Sequence, residues 1–359
     1  MTDMSMADIS DLVLDDSAAA RDQTAKPIPP RAFKVDATMA WEIVRASRGD
    51  AQKLPLSDFT DAVKEKRPGS VRFVCISDTH SKNPYDAIPD GDVLLHCGDF
   101  SQTGTLEEVA KFAEWFGSLP HARKILIAGN HDLALHGASY GATSVRFGHG
   151  VADVAGTCAK ARALIDAIPN CEYLCDSGTI VAGLRIWGSP WTPAFCGWAF
   201  NQPRGAESRQ RWRLIPSDTD ILLTHGPPLG HGDETSRRVR AGCLDLLDEI
   251  QTRIKPRYHC FGHIHEGHGV TTDGTTTFVN ASTCNLRYQA SNAPFVFDVD
   301  PPSSAPQVDA EVAASAIAAS APADDAMAAA APAVAPPDAP ADDASSLLRR
   351  AGAALDAFE

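Results

Sequence analysis

No apolar run in this chain approaches the ~18 residues that a membrane-spanning helix needs, so no membrane partner is expected. The stretch Met1 to Asp16 lacks a basic segment followed by an apolar one, so no secretory leader is predicted there. Cationic excess is missing too. Against 32 lysines and arginines stand 46 aspartates and glutamates, a formal net charge of −14. Gripping nucleic acid through its phosphates needs a basic surface, so bulk nucleic acid binding is not expected. A nucleotide held in a local pocket is still allowed. The nine cysteines include no Cys-x-x-Cys pair, which argues against a structural zinc knuckle. Their odd number fits a reducing compartment, and a cytoplasmic location is expected. Cys75, Cys97 and Cys260 fall inside apolar runs, where cysteine serves as a small core filler.

What is present is a repeated pattern. Lys124-Ile-Leu-Ile-Ala is a short apolar run that reads as a buried strand, and it ends in Gly129-Asn130-His131-Asp132. A glycine there lets the backbone turn sharply. Four other runs end the same way. Val71 to Ser77 leads into Asp78-Thr79-His80, and Asp92 to Cys97 leads into Gly98-Asp99. Asp220 to Thr224 leads into His225-Gly226, and Tyr258 to Phe261 leads into Gly262-His263-Ile264-His265. Open α/β sheets bind ligands at the carboxyl ends of their strands. Any one of these histidines alone is most often a structural residue. The ordered set points to a metal site.

At 359 residues the chain has room for one large domain with tails, or for two domains. Residues 1–70 read as a largely disordered extension. Small and acidic residues come first, and Pro27, Pro29 and Pro30 break helices. Asp36 to Arg48 could add a helical turn or two. The ordered domain is expected over residues 71–300. Thr105-Leu-Glu-Glu108 is a capping box opening a crossover helix, with Val109, Phe112, Ala113 and Phe116 at helical spacing and Trp115 in the core. Leu133 to Thr157 is glycine-rich and reads as a long loop. Ala159 to Ile168, Glu207 to Leu214 and Cys243 to Ile254 read as helices. Glu172 to Pro190 reads as a hairpin turning at Asp176-Ser-Gly178, and Gly269 to Ala281 as another turning at Asp273-Gly274. Pro294 to Val299 is a last strand. Residues 301–359 are rich in Ala, Pro and Asp and are expected to be disordered. Within them Leu347, Leu348, Ala351, Leu355 and Phe358 share one helical face. That face is either an idle short helix or a docking peptide for a protein partner.

The donors sort into two metal sites. Asp99 is the candidate bridge, because a carboxylate has an oxygen for each ion. Asp78, His80 and His265 serve one metal; Asn130, His225 and His263 serve the other. A mixed nitrogen and oxygen set without thiolate suits Mn, Fe, Zn or Co better than Ca or Mg. His131 is left to protonate the leaving oxygen, with Asp132 to orient it. Of the other histidines, His96, His121, His136 and His149 read as structural, loop or surface residues, while His231 and His268 flank ligand blocks and read as packing or solvent-facing residues, with substrate contact the alternative. Trp187 to Gly205 is aromatic and proline-stiffened. Each of its aromatics alone reads as satellite core. Together they suggest that Trp191 or Trp198 holds the organic part of a substrate and that Arg204 meets a phosphate or ribose.

In order along the chain, Asp78-x-His80, Gly98-Asp99, Gly129-Asn130-His131-Asp132, His225 and Gly262-His263-x-His265 resemble the five signature blocks of the calcineurin-like metallophosphoesterases. Further stretches are similar to the brain-type metallophosphoesterase-domain-containing proteins: Arg72 to Ser81, Trp187 to Pro193, Thr224 to Gly230 and Asn280 to Cys284. The resemblance covers about Val71 to Val299. It implies a four-layer αββα fold, a two-sheet β-sandwich flanked by helices. It also implies two divalent or trivalent metal ions, with Mn the natural choice for assay, and phosphodiesterase activity on small esters, with cyclic nucleotides one candidate class. One branch is disfavoured. The protein Ser/Thr phosphatases carry an arginine in an extended Gly-Asp-x-Val-Asp-Arg-Gly block, and here Asp99 is followed by Phe100-Ser-Gln-Thr-Gly104. The alternative to an enzyme is a low-turnover metal-binding or nucleotide-binding scaffold that keeps the fold.

Overall fold

The computed structural model describes residues 26–60, 65–84 and 88–302. The expected disordered tail and its terminal helix lie outside these residues, apart from Pro301 and Pro302. The described strands are β1 (Gln52–Lys53), β2 (Val71–Ile76), β3 (Val93–His96), β4 (Arg123–Leu126), β5 (Cys171–Tyr173), β6 (Ser177–Val181), β7 (Leu184–Ser189), β8 (Thr192–Pro193), β9 (Asn201–Gln202), β10 (Ile221–Thr224), β11 (Tyr258–Phe261), β12 (Gly269–Thr272), β13 (Thr277–Asn280) and β14 (Phe295–Val299). The α-helices are α1 (Ala37–Arg48), α2 (Ser57–Thr60), α3 (Leu106–Ser118), α4 (Gly137–Arg146), α5 (Val154–Asp166), α6 (Ala206–Trp212) and α7 (Leu244–Glu249).

Two sheets face each other. One runs β14-β2-β3-β4-β5, the other β1-β12-β13-β11-β10-β7-β6. The central strands β2 to β5 are mutually parallel, as are β7, β10, β11 and β13, with antiparallel strands at the edges. Alternation along each strand sends one set of side chains inward and the next outward. Phe73, Cys75, Leu95, Ile125 and Ile127 of the first sheet meet Ile186, Ile221, Leu223, Cys260 and Val279 of the second. The outward set, Val74, Leu94 and Leu126, packs under Val109, Phe112 and Phe116 of α3 and Ile165 of α5. On the far side Leu222 and Phe278 pack against α6 and α7 through Trp212, Leu246 and Ile250. The expected four-layer αββα sandwich is the observed fold.

Local chemistry explains the individual elements. Thr105 Oγ1 accepts from the Glu108 amide (3.2 Å) and Glu108 accepts from the Thr105 amide (3.0 Å), which starts α3 as predicted. Helix α7 continues as a π-helical turn over Ile250–Ile254, with Leu244, Leu247 and Ile250 buried. Strands β12 and β13 form the predicted hairpin at Asp273-Gly274.

Three expectations need correction. The extension is not disordered throughout: α1 lies over α7, with Ala40, Trp41 and Val44 buried against Leu229, Leu244 and Leu247. Asp36 caps α1, and β1 adds an edge strand beside β12. The few apolar residues of that segment pack on the domain, so its composition was misleading. Residues 133–157 are not a long loop either, because α4 occupies the middle and buries Tyr140, Thr143 and Ser144. Finally, the turn at Asp176 is not a hairpin turn. Strand β5 belongs to the first sheet and β6 to the second, so Asp176 marks the crossing between them. The true hairpin turn is Ala182-Gly183, both at positive φ.

Candidate metal centre

The carboxyl ends of β2, β3 and β4 from one sheet and of β10 and β11 from the other converge. The two sheets are tied there by Ser77 pairing with Ser282 and by His225 Nδ1 donating to the Cys97 carbonyl (2.9 Å). The chain must bend hard to aim its side chains. Asp78, His80, Asp99 and His263 all hold left-handed backbone, with φ of 50°, 41°, 55° and 69°. Such strain in non-glycine residues persists only where the surroundings enforce it, and it gathers at functional sites. Two glycines make room. A Cβ on Gly129 would lie 2.2 Å from Asp99 Oδ1, and one on Gly262 would lie 1.9 Å from Asp78 Oδ2.

Three groups of possible ligands result, and they share members. They are Asp78, His80 and His265; His80, Asp99 and His131; and Asp99, His225 and His263. Asp99 Oδ2 lies 3.2 Å from His225 Nε2 and 3.9 Å from His80 Nε2, between the outer two groups. Asn130 Oδ1 lies 2.9 Å from His225 Nε2. All seven expected ligands are therefore brought together. The ring orientations say what the centre can hold. A carbonyl can only accept, so each imidazole bonded to one carries its proton on that nitrogen. His80 Nδ1 faces the Ser101 carbonyl (3.2 Å), His265 Nδ1 that of Asn285 (3.1 Å) and His131 Nδ1 that of Gln102 (2.6 Å). The Nε2 atoms of His80 and His265 are thereby turned toward the carboxylates, each able to offer a lone pair. This is the usual arrangement around metal-ligating histidines. A cluster of buried lone pairs and carboxylates fits a cation.

The titration behaviour agrees. Burial pushes the Asp99 carboxyl up, but the His225 and His131 charges outweigh it and hold it well below the carboxylate range. Asp78 is likewise held low, by His265 and His225 against burial. Burial pulls His225 down, yet the charge and hydrogen bond of Asp99 push it up to about 9. The extra proton on its Nε2 marks a point where positive charge is favoured. Burial and the His131 charge push His80 well below the ordinary histidine value, so it stays a neutral donor.

The family model for calcineurin-like phosphoesterases matches residues 71–267. The chain belongs to the calcineurin-like phosphoesterase family. It is 48% identical over 275 residues to metallophosphoesterase domain-containing protein 1 of Homo sapiens, and equally to that of Mus musculus, covering 75% of this chain and 84% of theirs. It is 44% identical over 240 residues to UPF0046 protein C25E10.12 of Caenorhabditis elegans, covering 65% of this chain and 82% of that one. Membership makes the protein a metal-dependent phosphoesterase, and the convergent donors are candidate ligands for its metals.

Around this phosphoesterase centre, five expected site residues need separate treatment. His131 stands beside the donors, with its Nε2 4.0 Å from Asp99 Oδ2. Asp132 does not touch its ring. The Asp132 carboxylate instead accepts from the amides of Asp99 (2.9 Å), Gly129 (2.7 Å) and Ser101 (3.0 Å) and from the Ser101 hydroxyl (2.6 Å). It pins the ligand loops together, and the Gln102 carbonyl orients His131. Burial and the Asp99 charge push its carboxyl up to about 7.

Trp198 lies beside the centre, stacked 4.0 Å from the His131 ring and 4.4 Å from Phe147. Trp191 does not offer a stacking face. Its Nε1 donates to Asp176 (3.0 Å), and the Arg211 guanidinium covers its ring at 3.7 Å. Arg204 donates to the carbonyls of Gly242 (2.6 Å) and Ala241 (2.7 Å), so its guanidinium holds main chain rather than phosphate. Sequence spacing could not show these partners, which come from elements far along the chain.

Ser282 Oγ lies within hydrogen-bond reach of Asp78 Oδ2 (3.0 Å) and Asn280 Oδ1 (2.9 Å), so the Asn280 to Cys284 stretch singled out in the sequence holds a candidate ligand in place. Sequence reasoning missed Tyr288. Tyr288 lies with its ring 4.8 Å from His80 and 5.3 Å from His265. No motif surrounds it, and only the fold brings it there. The remaining histidines are structural. Buried His96 meets Thr79 Oγ1 (3.1 Å), and buried His121 meets the Pro89 carbonyl (3.0 Å), which removes His121 from the surface set.

Proposed function

We propose that this phosphoesterase is a phosphodiesterase for small phosphate esters, with cyclic nucleotides one candidate class, and that it uses two ions of the Mn, Fe, Zn or Co set, Mn being the choice for assay. The observation that carries the reading is that Asp99 belongs to two candidate ligand groups, one with His80 and His131 and one with His225 and His263. Asp78, His80 and His265 would hold one ion, Asn130, His225 and His263 the other, and Asp99 would join them. Two ions held there supply Lewis acidity and bring the pKa of water toward neutrality. The chain's own residues supply the rest. Asp99 is fixed by its amide on Asp132 and by its Oδ1, which accepts from the His131 amide at 2.8 Å. His131, with Nδ1 tied to Gln102, presents Nε2 to the leaving oxygen and delivers the proton that departure requires. Trp198 keeps that ring from swinging away.

Nine free thiols among the described residues favour a reducing compartment such as the cytoplasm. No helix among the described residues is long and apolar enough to cross a membrane. Hydrolysis of an aryl phosphodiester by the metal-free protein with and without added Mn²⁺ tests the proposal. Turnover that appears only with the metal and exceeds that of the matching monoester is expected. Metal binding without turnover would leave a scaffold and overturn the reading.

A further inference from the structure

Phosphate ester chemistry needs a group that holds the phosphoryl oxygens. The arginine that some relatives place after the Gly-Asp block is replaced here by Phe100-Ser-Gln-Thr, and Phe100 is fully buried. Arg204 is bonded to main-chain carbonyls. Tyr288 stands where a donor is wanted. Its ring lies edge-on to His80 (4.8 Å, 71°) and His265 (5.3 Å, 78°) and 6.5 Å from His131. The three imidazoles come from three different strand ends, so Tyr288 closes one side of the donor cluster.

The backbone under Tyr288 is built to hold it there. Its φ is +55°, a left-handed conformation that is an outlier for a bulky aromatic residue. Asn285 stabilises the turn: its carbonyl accepts from the Tyr288 amide (2.9 Å), and its Oδ1 accepts from the amides of Arg287 (2.9 Å) and Gln289 (3.2 Å). The same Asn285 carbonyl accepts from His265 Nδ1 (3.1 Å), so the turn is bonded to a ligand histidine. Cys284 bridges Ala290 and closes its base. Backbone strain held by this many bonds is a feature of functional positions. Yet among the described residues no group bonds the Tyr288 hydroxyl. The half-buried phenol, its ring beside a cluster of candidate ligands, keeps a donor for something that is not part of the chain.

We propose that Tyr288 touches the substrate and donates its hydroxyl hydrogen bond to a non-bridging phosphoryl oxygen. This rests on the phosphodiesterase reading, and it names the residue that grips the ester. A neutral phenol is suited to a diester, which carries one negative charge. The second charge of a monoester would call for a cation such as the missing arginine.

The test compares Tyr288→Phe and Tyr288→Leu with the unaltered chain, all loaded with Mn²⁺. Three quantities are read: metal content, affinity for inorganic phosphate by calorimetry, and kcat/KM on an aryl phosphodiester. Tyr288→Phe keeps the ring and is expected to keep its metals. It should lower both phosphate affinity and kcat/KM by about tenfold, the size of one hydrogen bond to a charged group. A silent Tyr288→Phe beside an impaired Tyr288→Leu would make the ring a packing wall and overturn the proposal. Loss of metal from Tyr288→Phe would also overturn it, since the residue would then act through His80 or His265. Should the unaltered protein turn over no ester, the phosphodiesterase reading fails. The phosphate affinities then still decide the role of the hydroxyl.

Discussion

The Nε2 atoms of His80 and His265 face each other at 3.1 Å, with both Nδ1 protons already directed to the carbonyls of Ser101 and Asn285. In their neutral forms two lone pairs meet there, beside Asp78 Oδ1 at 3.4 Å from His265. Acceptors crowded in a buried place are costly unless positive charge joins them. We therefore expect chelation to lower Tm and Mn²⁺ to restore it. Metal at about a hundred times its Kd adds about 2.7 kcal/mol, which for a domain of this size is about 5–10 °C. A scan with and without chelator checks this, and coincident curves would show that the donors hold no metal.

Asp99 is a member of two of the three candidate ligand groups. Asp99→Asn leaves the shape and removes the charge, and an amide bridges two cations poorly. The variant should lose at least one metal per chain, read by elemental analysis after gel filtration. Two metals at unaltered affinity would remove Asp99 from the bridging position.

The ligand residues were legible because each follows a short apolar strand, and strand ends on a parallel sheet must gather at one edge. The helical face of α3 and the β12–β13 hairpin were legible for a similar reason, since capping box and turn residues act locally. What failed was tertiary. Arg204 looked available because nothing in its neighbourhood of sequence shows that Ala241 and Gly242 come to meet it. Asp132 follows His131 in sequence, yet its carboxylate points back to the Asp99, Ser101 and Gly129 amides. The N-terminal segment looked disordered because it has few apolar residues, but Trp41 and Val44 are both buried on the domain. Tyr288 had no motif around it at all.

The stack of Trp198 on His131 makes a prediction about the chemical step. His131→Ala should keep the metals and lower kcat by ~10²-fold, the usual size of a general-acid contribution. The loss should shrink for leaving groups of low pKa, which depart without a proton. Trp198→Ala should lower kcat by up to about tenfold, the scale of one aromatic contact, with the same leaving-group dependence. Trp198→Phe should recover most of it. Kinetics over a series of aryl esters checks the pair. A rise in KM alone for Trp198→Ala would mean that the ring holds substrate and leaves His131 unaided.

The last prediction concerns acid and the N-terminal segment. Buried His231 stacks on Phe278 at 3.7 Å and meets the edge of Trp41 on α1 at 6.4 Å, with its Nδ1 2.9 Å from Thr271 Oγ1. Burial pushes it down to about 4; Asp273 pulls it up and Arg240 down. In the unfolded chain it takes up its proton near the ordinary value of about 6.5. Between these values the unfolded state binds more protons than the folded one. Its stabilising contribution is therefore complete above about pH 6.5 and is lost as pH falls toward 4, by at most about 1.4 kcal/mol per pH unit. Urea unfolding of the metal-loaded protein at pH 7 and pH 5 reads the slope, and His231→Phe removes this one group. The variant should start less stable, since it leaves Thr271 without its partner, but should lose less on acidification. The other buried histidines titrate in both proteins and cancel in the comparison, except His259, which loses the downward push of the His231 charge in the variant. Equal slopes would show that His231 does not couple acid to the seating of α1.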